Sequence, residues 1–296
     1  MTDYSEVQHG LNCLQAAWNG EHGVKLRSTL DAMFPGITQD VQNRFNAGWN
    51  SLQFESFVTS LSEHAGPGLE NEDAYGRLSM WRGFARGVGA ALVVKHETFW
   101  HANAGLGLYT SPVAYLDDAA FAKQFGEVVN NIVANKEQLK AGGQEAVTRA
   151  ILLTFSAAAI STKHPGFHEE REWRIIRSPD FPIPCPLPRV IQTVGGVPQQ
   201  VILLKLESDA SLGTSGIDPP ELLDRIIIGP TSYPMAIYSA YLQQIRLQNS
   251  SCPTCRCAMA SVALALDFEL PDCSKLTAFL VKKNRLCATR VIGPAG

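Results

Sequence analysis

The segment GFHEEREWRIIR, residues 166–177, most constrains this chain, because a cluster of charges runs directly into an apolar strand pattern. Six of its twelve residues are formally charged, whereas Trp173 and Ile175 are large and apolar. In a β-strand, successive side chains point to opposite faces. We therefore predict a strand over residues 170–177. The residues that would share its charged face are Glu170, Glu172 and Arg174.

The two glutamates of this strand are a candidate catalytic pair. Two carboxylates on one strand face can act on one ligand: one binds a sugar hydroxyl, and the other orients an acceptor or takes a proton. Such carboxylates repel each other, so a flanking cation is expected, and Arg174 is in place. The alternative is a solvated strand face with a small charge network, which Glu-x-Glu alone does not exclude.

Hydroxyl side chains on an earlier strand are candidate ligand contacts. The stretch FVTSLSEH, within a predicted strand over 54–64, carries Thr59, Ser60 and Ser62. Hydroxyls on a strand beside a nucleotide pocket can brace a carboxylate or contact the ligand. The alternative is β-propensity for Thr59 and a turn after Ser62.

Trp81 and Arg82 lie on a predicted short helix, 78–86, that is followed by Gly87 and Gly89. A phosphate-binding loop needs a strand, then glycines, then a helix. The order here is reversed, so this is neither a P-loop nor a dinucleotide-binding fingerprint. Arg82 can still bind a phosphate, or it can stack on Trp81 as a structural residue.

Hydrophobic periodicity predicts an α+β fold. Leu11, Leu14 and Trp18 have the spacing of one helical face, and Pro35-Gly36 divides the next helical pattern. N-terminal helices, a central helical insert, a C-terminal helix and several non-consecutive strands predict a mixed sheet. Beyond those named above, the predicted strands cover 87–95, 107–116, 200–207 and 223–228, the insert follows Asp117, and the C-terminal helix covers 231–249.

Composition limits the classes of function. The chain has 296 residues, a net charge of -3 and 45% hydrophobic residues, which is enough for a sizeable core. Its slight acidity argues against nonspecific nucleic-acid binding, which needs a basic surface. The best apolar run, 150–160, is too short to cross a bilayer, and the N-terminus lacks a signal-peptide pattern. We expect a cytoplasmic protein without membrane contact.

Residues 251–296 differ from the rest of the chain, since they hold five of its seven cysteines and show no clear period. Cys252 and Cys255 have the spacing of a zinc-binding pair, but no second pair of that spacing follows. Free thiols in a reducing cytosol are the simpler interpretation, so we predict no metal site. We predict a single domain over 1–250 and an atypical tail that is disordered or frameshifted.

Four stretches together resemble the bacterial domain-of-unknown-function family 2971 (DUF2971). They are MTDYSEVQHG, then FVTSLSEH with LSMWRGFARGVGAALVV, then KHPGFHEEREWRII, and last LLDRIIIGP followed by a helix. The resemblance covers roughly residues 1–249, and the order of the motifs makes it specific. It implies an uncharacterised bacterial protein and supplies no established activity.

The motif order also resembles that of ADP-ribosyltransferases, more loosely. There a first strand bears His or Arg, a second bears Ser-Thr-Ser, and a third begins with Glu-x-Glu. By this resemblance Thr59, Ser60 and Ser62 match the middle element. Glu172 matches the glutamate that holds the nicotinamide ribose, and Glu170 the one that orients an acceptor. NAD is then implied as a substrate, and a protein or nucleic acid as the acceptor.

The chain departs from the family pattern at both ends. Family members usually begin with a Tyr-His-Tyr-like strand and a helix, whereas this chain starts at a later segment, so we expect the first strand to be missing. Members also usually finish with a short strand that carries a Ser and an Arg, which the tail does not match.

Three hypotheses follow. The first is an NAD-dependent ADP-ribosyltransferase-like enzyme with a role in defence or toxicity, in which Glu172 stabilises an oxocarbenium-like ribose. The second is a noncatalytic or degenerate binding protein on the same fold. The third is another nucleotide-processing enzyme that uses the same glutamates. The intact Glu-x-Glu favours the first, and the missing strand favours the second.

Overall fold

The computed structural model describes residues 4–64, 70–85, 89–95, 105–179, 184–194, 196–249 and 286–292. Its helices are α1 (Tyr4–Asn19), α2 (Glu21–Met33), α3 (Ile37–Glu55), α4 (Glu70–Tyr75), α5 (Leu78–Phe84), α6 (Asp118–Ala134), α7 (Lys136–Ala141), α8 (Gln144–Ser161), α9 (Pro219–Leu222) and α10 (Pro234–Asn249). Its strands are β1 (Phe57–Glu63), β2 (Ala90–Val94), β3 (Tyr109–Pro112), β4 (Ala114–Tyr115), β5 (Thr162–Lys163), β6 (Glu172–Arg177), β7 (Arg189–Val194), β8 (Val197–Ile202), β9 (Leu223–Ile228) and β10 (Leu286–Ile292).

The N-terminal helices and the central helical insert share one apolar core. α1 contacts α2, α6 and α8, and α3 contacts α8. Asp117 starts α6 by accepting a hydrogen bond from the backbone N–H of Ala120, which satisfies one of the free donors of the first turn. Gly36, with φ of 86°, lets the chain turn sharply between α2 and α3. Buried members of this core include Leu14, Leu26, Leu30, Val41, Phe121, Phe125, Val129, Ile151 and Phe155.

A four-stranded sheet with the order β10-β1-β6-β3 forms the second layer. Its three pairings are antiparallel, as are the separate pairs β2–β9 and β7–β8, whereas the short pair β4–β5 is parallel. Pro112 lies in the edge strand β3, where a missing N–H is tolerated. The predicted α+β class is confirmed.

The central strand β6 is buried on both faces. Ser60 pairs with Arg174 and Ser62 with Glu172, so these four side chains share one face of the sheet. That face is turned toward α8, because Ile176 belongs to one apolar cluster with residues of α8. The opposite face joins a second apolar core, whose members include Leu61, Val94, Leu106, Ile175, Leu204 and Leu222.

One strand prediction is wrong in its bounds. The predicted strand over 200–207 overlaps β8 only at 200–202, and β8 forms a hairpin with β7, which was not predicted. Its first strand is largely exposed, with Ile191 77% exposed, so it lacks the apolar run by which a buried strand is recognised in sequence. Gly196, with φ of 85°, lies in the turn of this hairpin.

The predictions for the tail lie largely outside the described residues. Cys252 and Cys255 fall in that part, so the domain boundary at 250 and the disordered or frameshifted tail stay predictions. Leu286–Ile292 is described and pairs antiparallel with β1 as strand β10. Among the helices of the described ranges, none combines the length and the apolar character that spanning a membrane requires.

Candidate functional site at the start of β6

Three short elements in succession build the site. After α8 ends, β5 pairs with β4, a 3-10 helix covers Pro165–Glu170, and β6 begins at Glu172. Arg171, between the last two, has φ of 42° and is the one non-glycine residue of the described part with a left-handed backbone. This conformation costs roughly 1–2 kcal/mol. The predicted strand over 170–177 is therefore too long: Glu170 lies on the 3-10 helix and does not reach Glu172 by strand alternation.

Lys163 brings the two predicted catalytic carboxylates together. Its Nζ lies 2.7 Å from Glu170 Oε2 and 3.1 Å from Glu172 Oε2. The same ammonium lies 5.0 Å from the centre of the Phe167 ring, within the range of a cation–π contact. The Glu170 side chain is 22% exposed, whereas that of Glu172 is 4% exposed. Glu170 is thus the more accessible of two carboxylates that share one buried cation.

Glu172 has partners on both carboxylate oxygens. Arg174 places Nε 2.8 Å from Oε1 and Nη2 3.3 Å from Oε2, and the Ser60 hydroxyl donates to Oε1. Arg174 also donates from Nη1 to the carbonyl of Ile160, in the last turn of α8, where a helix leaves carbonyls unpaired. Glu172 and Arg174 are almost fully buried, so this strand face is not solvated, but the small charge network of that alternative is present.

Electrostatics keep the Glu172 carboxylate ionised. Burial by itself raises the pKa of this group, because it removes water from the charged form. The charge and hydrogen bonds of Arg174, with the contributions of Lys163 and Ser60, outweigh burial and lower the pKa from 4.5 to about 2. Glu172 is therefore an anion at neutral pH, balanced by two cations.

Tyr115 also belongs to the site, although the sequence analysis missed it. The backbone N–H of Glu172 donates to the Tyr115 hydroxyl over 2.7 Å. Burial raises the pKa of Tyr115 above its usual range, and the nearby carboxylates add to this effect, so the phenol stays protonated. Tyr115 comes from β4, far from Glu172 in the chain, and no local pattern links the two.

The structure brings two of the three predicted hydroxyl residues to the carboxylates. Ser60 donates to Glu172, and Ser62 donates to the backbone carbonyl of Glu170 over 2.7 Å. Thr59 points to the other face of the sheet, since side chains alternate along β1. Its Oγ1 is buried and has no hydrogen-bond partner among the described residues.

The structure does not bring Trp81 and Arg82 to the carboxylates. Trp81 is buried in an apolar cluster with Ala91, Val93 and Ile227, and its indole N–H donates to the carbonyl of Tyr75 over 2.9 Å. Arg82 is exposed on α5 and makes no hydrogen bond or ion pair with the described residues. Trp81 therefore has the environment of a structural residue, and Arg82 has that of a surface residue.

Arg77 is a second residue that the sequence analysis missed. It precedes α5 and places Nη2 2.9 Å from Glu72 Oε1 and Nη1 3.3 Å from Ser62 Oγ. It also donates to the backbone carbonyls of Glu63 and Glu169. Its partners lie on α4, β1 and the 3-10 helix, so only the folded chain reveals the set.

The thiol of Cys13 and the metal-ligating side chains of the described part do not form a second site. The thiol of Cys13 donates to Asp118 Oδ1 over 3.2 Å, and burial together with Asp118 raises its pKa to about 12. A thiol of this kind stays protonated and is a poor nucleophile. Among the described residues, no group of three or more His, Cys, Asp or Glu side chains is placed to hold a metal ion.

The fold and the site together define an α+β chain with a buried carboxylate, Glu172, at the start of a central strand and a half-buried carboxylate, Glu170, close by. Within it, residues 80–175 match the family model described as "Protein of unknown function (DUF2971)". That segment runs from α5 to β6 and includes Lys163, Glu170 and Glu172, so the resemblance to family 2971 is supported there. No curated protein and no solved structure matches the chain. The resemblance to ADP-ribosyltransferases stays an interpretation of motif order.

Proposed function

We propose that the chain is an NAD-dependent ADP-ribosyltransferase-like enzyme in which Glu172 stabilises the reacting ribose and Glu170 orients the acceptor. The hydrogen bond from Ser60 to Glu172 across β1 and β6 carries this proposal. A serine of the middle element that braces the glutamate of the next strand is the arrangement that the motif order implies. The fold by itself supports no activity.

The chemistry needs an anion beside a developing positive charge. When the bond between ribose C1′ and the nicotinamide nitrogen breaks, the electron pair leaves with nicotinamide and the ribose becomes cationic. An ionised Glu172, held in place by Ser60 and Arg174, stabilises that charge. An acceptor nucleophile, or water, then bonds to C1′ and loses a proton. In this proposal Glu170 orients the acceptor nucleophile, and its greater exposure supports that role.

A ligand that reaches Glu172 has to displace the Lys163 ammonium. Nζ bridges the two carboxylates, and the Glu172 side chain is 4% exposed. We therefore expect NAD binding to move Lys163 away from at least one of them. The ammonium and the ribose cation carry the same sign, which makes this exchange compatible with the charge of the site.

A second candidate is a noncatalytic binding protein on the same fold. The observation that favours it is the saturation of Glu172, whose two oxygens already have Ser60, Lys163 and Arg174 as partners. In that case the cluster stabilises the fold, and a nucleotide binds without losing nicotinamide.

Two assays test the proposal. The first measures release of nicotinamide from NAD, and the second measures transfer of label from radiolabelled NAD to the protein and nucleic acid of a cell lysate. Glu170→Gln should spare release and abolish transfer, because only acceptor orientation is lost. Its matched control is Glu169→Gln, since Glu169 is exposed on the same 3-10 helix and its side chain is not in the site. Glu172→Asp keeps the charge, but the shorter side chain moves it away from the ribose, so nicotinamide release and transfer should both fall by about 100-fold.

Each hypothesis has its own outcome in this experiment. The enzyme is supported if the wild type releases nicotinamide and transfers label, and if Glu170→Gln loses transfer while Glu169→Gln keeps it. Binding of NAD without release, measured by calorimetry on the wild type, supports the noncatalytic protein. If the wild type neither binds NAD nor releases nicotinamide, the transferase proposal is wrong.

A further inference from the structure

The segment 169–171, which carries Glu170, is held through three consecutive backbone carbonyls. The carbonyl of Glu169 accepts from the Arg77 guanidinium, and that of Glu170 accepts from Ser62 Oγ over 2.7 Å. The carbonyl of Arg171 accepts from the backbone N–H of Glu63 over 2.8 Å. Two of these three donors belong to β1, and the third belongs to Arg77.

Arg77 forms one of the three anchors and supports the other two. Besides Glu169, its guanidinium donates to Ser62 Oγ over 3.3 Å and to the carbonyl of Glu63. It thus contacts the residues that supply the other two donors. Glu72 fixes the guanidinium in turn, with Oε1 2.9 Å from Nη2 and 3.2 Å from Nε.

The anchored segment contains the strained turn of the site. Arg171 has a left-handed backbone, and its guanidinium lies 3.2 Å from the same Glu72 oxygen that holds Arg77. A strained conformation persists only where the surrounding contacts over-determine it. Arg77 and Glu72 supply contacts of that kind on both sides of Glu170.

We propose that Arg77 is a positioning residue, which fixes segment 169–171 against β1 and thereby sets the place of the Glu170 carboxylate beside Lys163. The functional part of this inference rests on the proposed role of Glu170 in orienting an acceptor. A guanidinium suits the task because its planar fork donates in several fixed directions, whereas a lysine ammonium acts as a point charge. Arg77 therefore acts through its geometry, not through its charge alone.

Hydrogen–deuterium exchange tests the positioning without any assay of activity. In Arg77→Gln, amides of residues 166–172 should exchange about tenfold faster than in the wild type, because local opening becomes easier. Arg77→Lys should behave like Arg77→Gln. The matched control is Arg149→Gln, since Arg149 is exposed on α8. If Arg77→Gln does not fold, Ser62→Ala replaces it, since that change removes the hydroxyl link to Glu170 and leaves the other contacts of Arg77.

Transfer of label from radiolabelled NAD tests the functional part. Arg77→Gln should lose transfer by about 100-fold and keep nicotinamide release. Glu170→Gln should lose transfer to the same extent, and the double variant should lose no more transfer than Glu170→Gln alone. Unchanged exchange in Arg77→Gln, normal transfer by it, or restoration by Arg77→Lys would overturn the inference. If the wild type releases no nicotinamide, the proposed function fails, and the exchange experiment still decides whether Arg77 holds the segment.

Discussion

Lys163 allows the half-buried carboxylate of Glu170 to lie close to the buried carboxylate of Glu172 at the start of β6. Its ammonium contacts both, and Arg174 neutralises Glu172 from the side of α8. Without a shared cation, Glu170 and Glu172 would repel each other, and one of them would take up a proton. The two buried charges of the opening segment, Glu172 and Arg174, are thus compatible with burial because each has a partner of opposite sign.

Replacing Lys163 with Met should destabilise the fold strongly. The change leaves Glu172 buried with one of its two cations gone, and breaking a buried ion pair in this way costs about 3–5 kcal/mol. The control is Lys123→Met, since Lys123 is exposed on α6. Urea unfolding at neutral pH measures both. A loss in Lys163→Met no greater than that in Lys123→Met would show that the ammonium does not hold the pair.

At the scale of elements, alternation along a strand predicted part of the site correctly. It placed Glu172 and Arg174 on one face, where they do pair. It failed for Glu170, because the left-handed backbone of Arg171 ends the strand pattern one residue before Glu172. That turn depends on the hydrogen bond from Glu63 and on Glu72, which are distant in the chain, so no local pattern could reveal it.

The contact between α1 and α8 gives a prediction for the helices beneath the site. A Cβ added at Gly10 would lie 2.3 Å from the carbonyl oxygen of Ala159, so Gly10→Ala must push the two helices apart. We expect a loss of about 1–3 kcal/mol in the free energy of unfolding. Gly83→Ala is the control, because a Cβ there meets nothing within 4 Å.

The control should gain stability, by up to about 1 kcal/mol, because alanine favours the helical backbone over glycine. Thermal unfolding of both variants makes the comparison. Equal effects of the two changes would mean that α1 does not approach α8 closely at Gly10. Thermal unfolding of Glu170→Gln would show whether a change in the site lowers stability as much as a shift of these helices does.

At the scale of the whole molecule, the sequence predicted the class of fold better than the site. Amphipathic spacing and the break at Pro35-Gly36 are local, and they placed the N-terminal helices correctly. Tyr115 and Arg77 reach the site through contacts with Glu172 and Glu169 over long separations in the chain. Such contacts arise only when sheet and helices are assembled, which is why a pattern search finds Glu-x-Glu and misses its partners.

The buried Glu172 should make the stability of the whole molecule sensitive to acid. Its pKa is lowered from 4.5 to about 2 on folding, so the folded state favours the ionised form. The stability that this carboxylate contributes is complete above its ordinary pKa and is lost as pH falls from about 4.5 toward about 2. Glu72, whose pKa is also lowered despite partial burial because it is paired with Arg77 and Arg171, acts in the same direction.

Urea unfolding between pH 7 and pH 3 should therefore separate Glu172→Gln from the wild type in a pH-dependent way. At neutral pH the variant should be less stable by about 3–5 kcal/mol, because Arg174 and Lys163 lose a buried partner. Below pH 4.5 the wild type should lose up to about 1.4 kcal/mol per pH unit from this carboxylate, and the variant should not, so the gap narrows. Glu137→Gln is the control, since Glu137 is 80% exposed, and it should follow the wild type throughout. A gap between Glu172→Gln and the wild type that stays constant down to pH 3 would mean that Glu172 is not held as a buried anion.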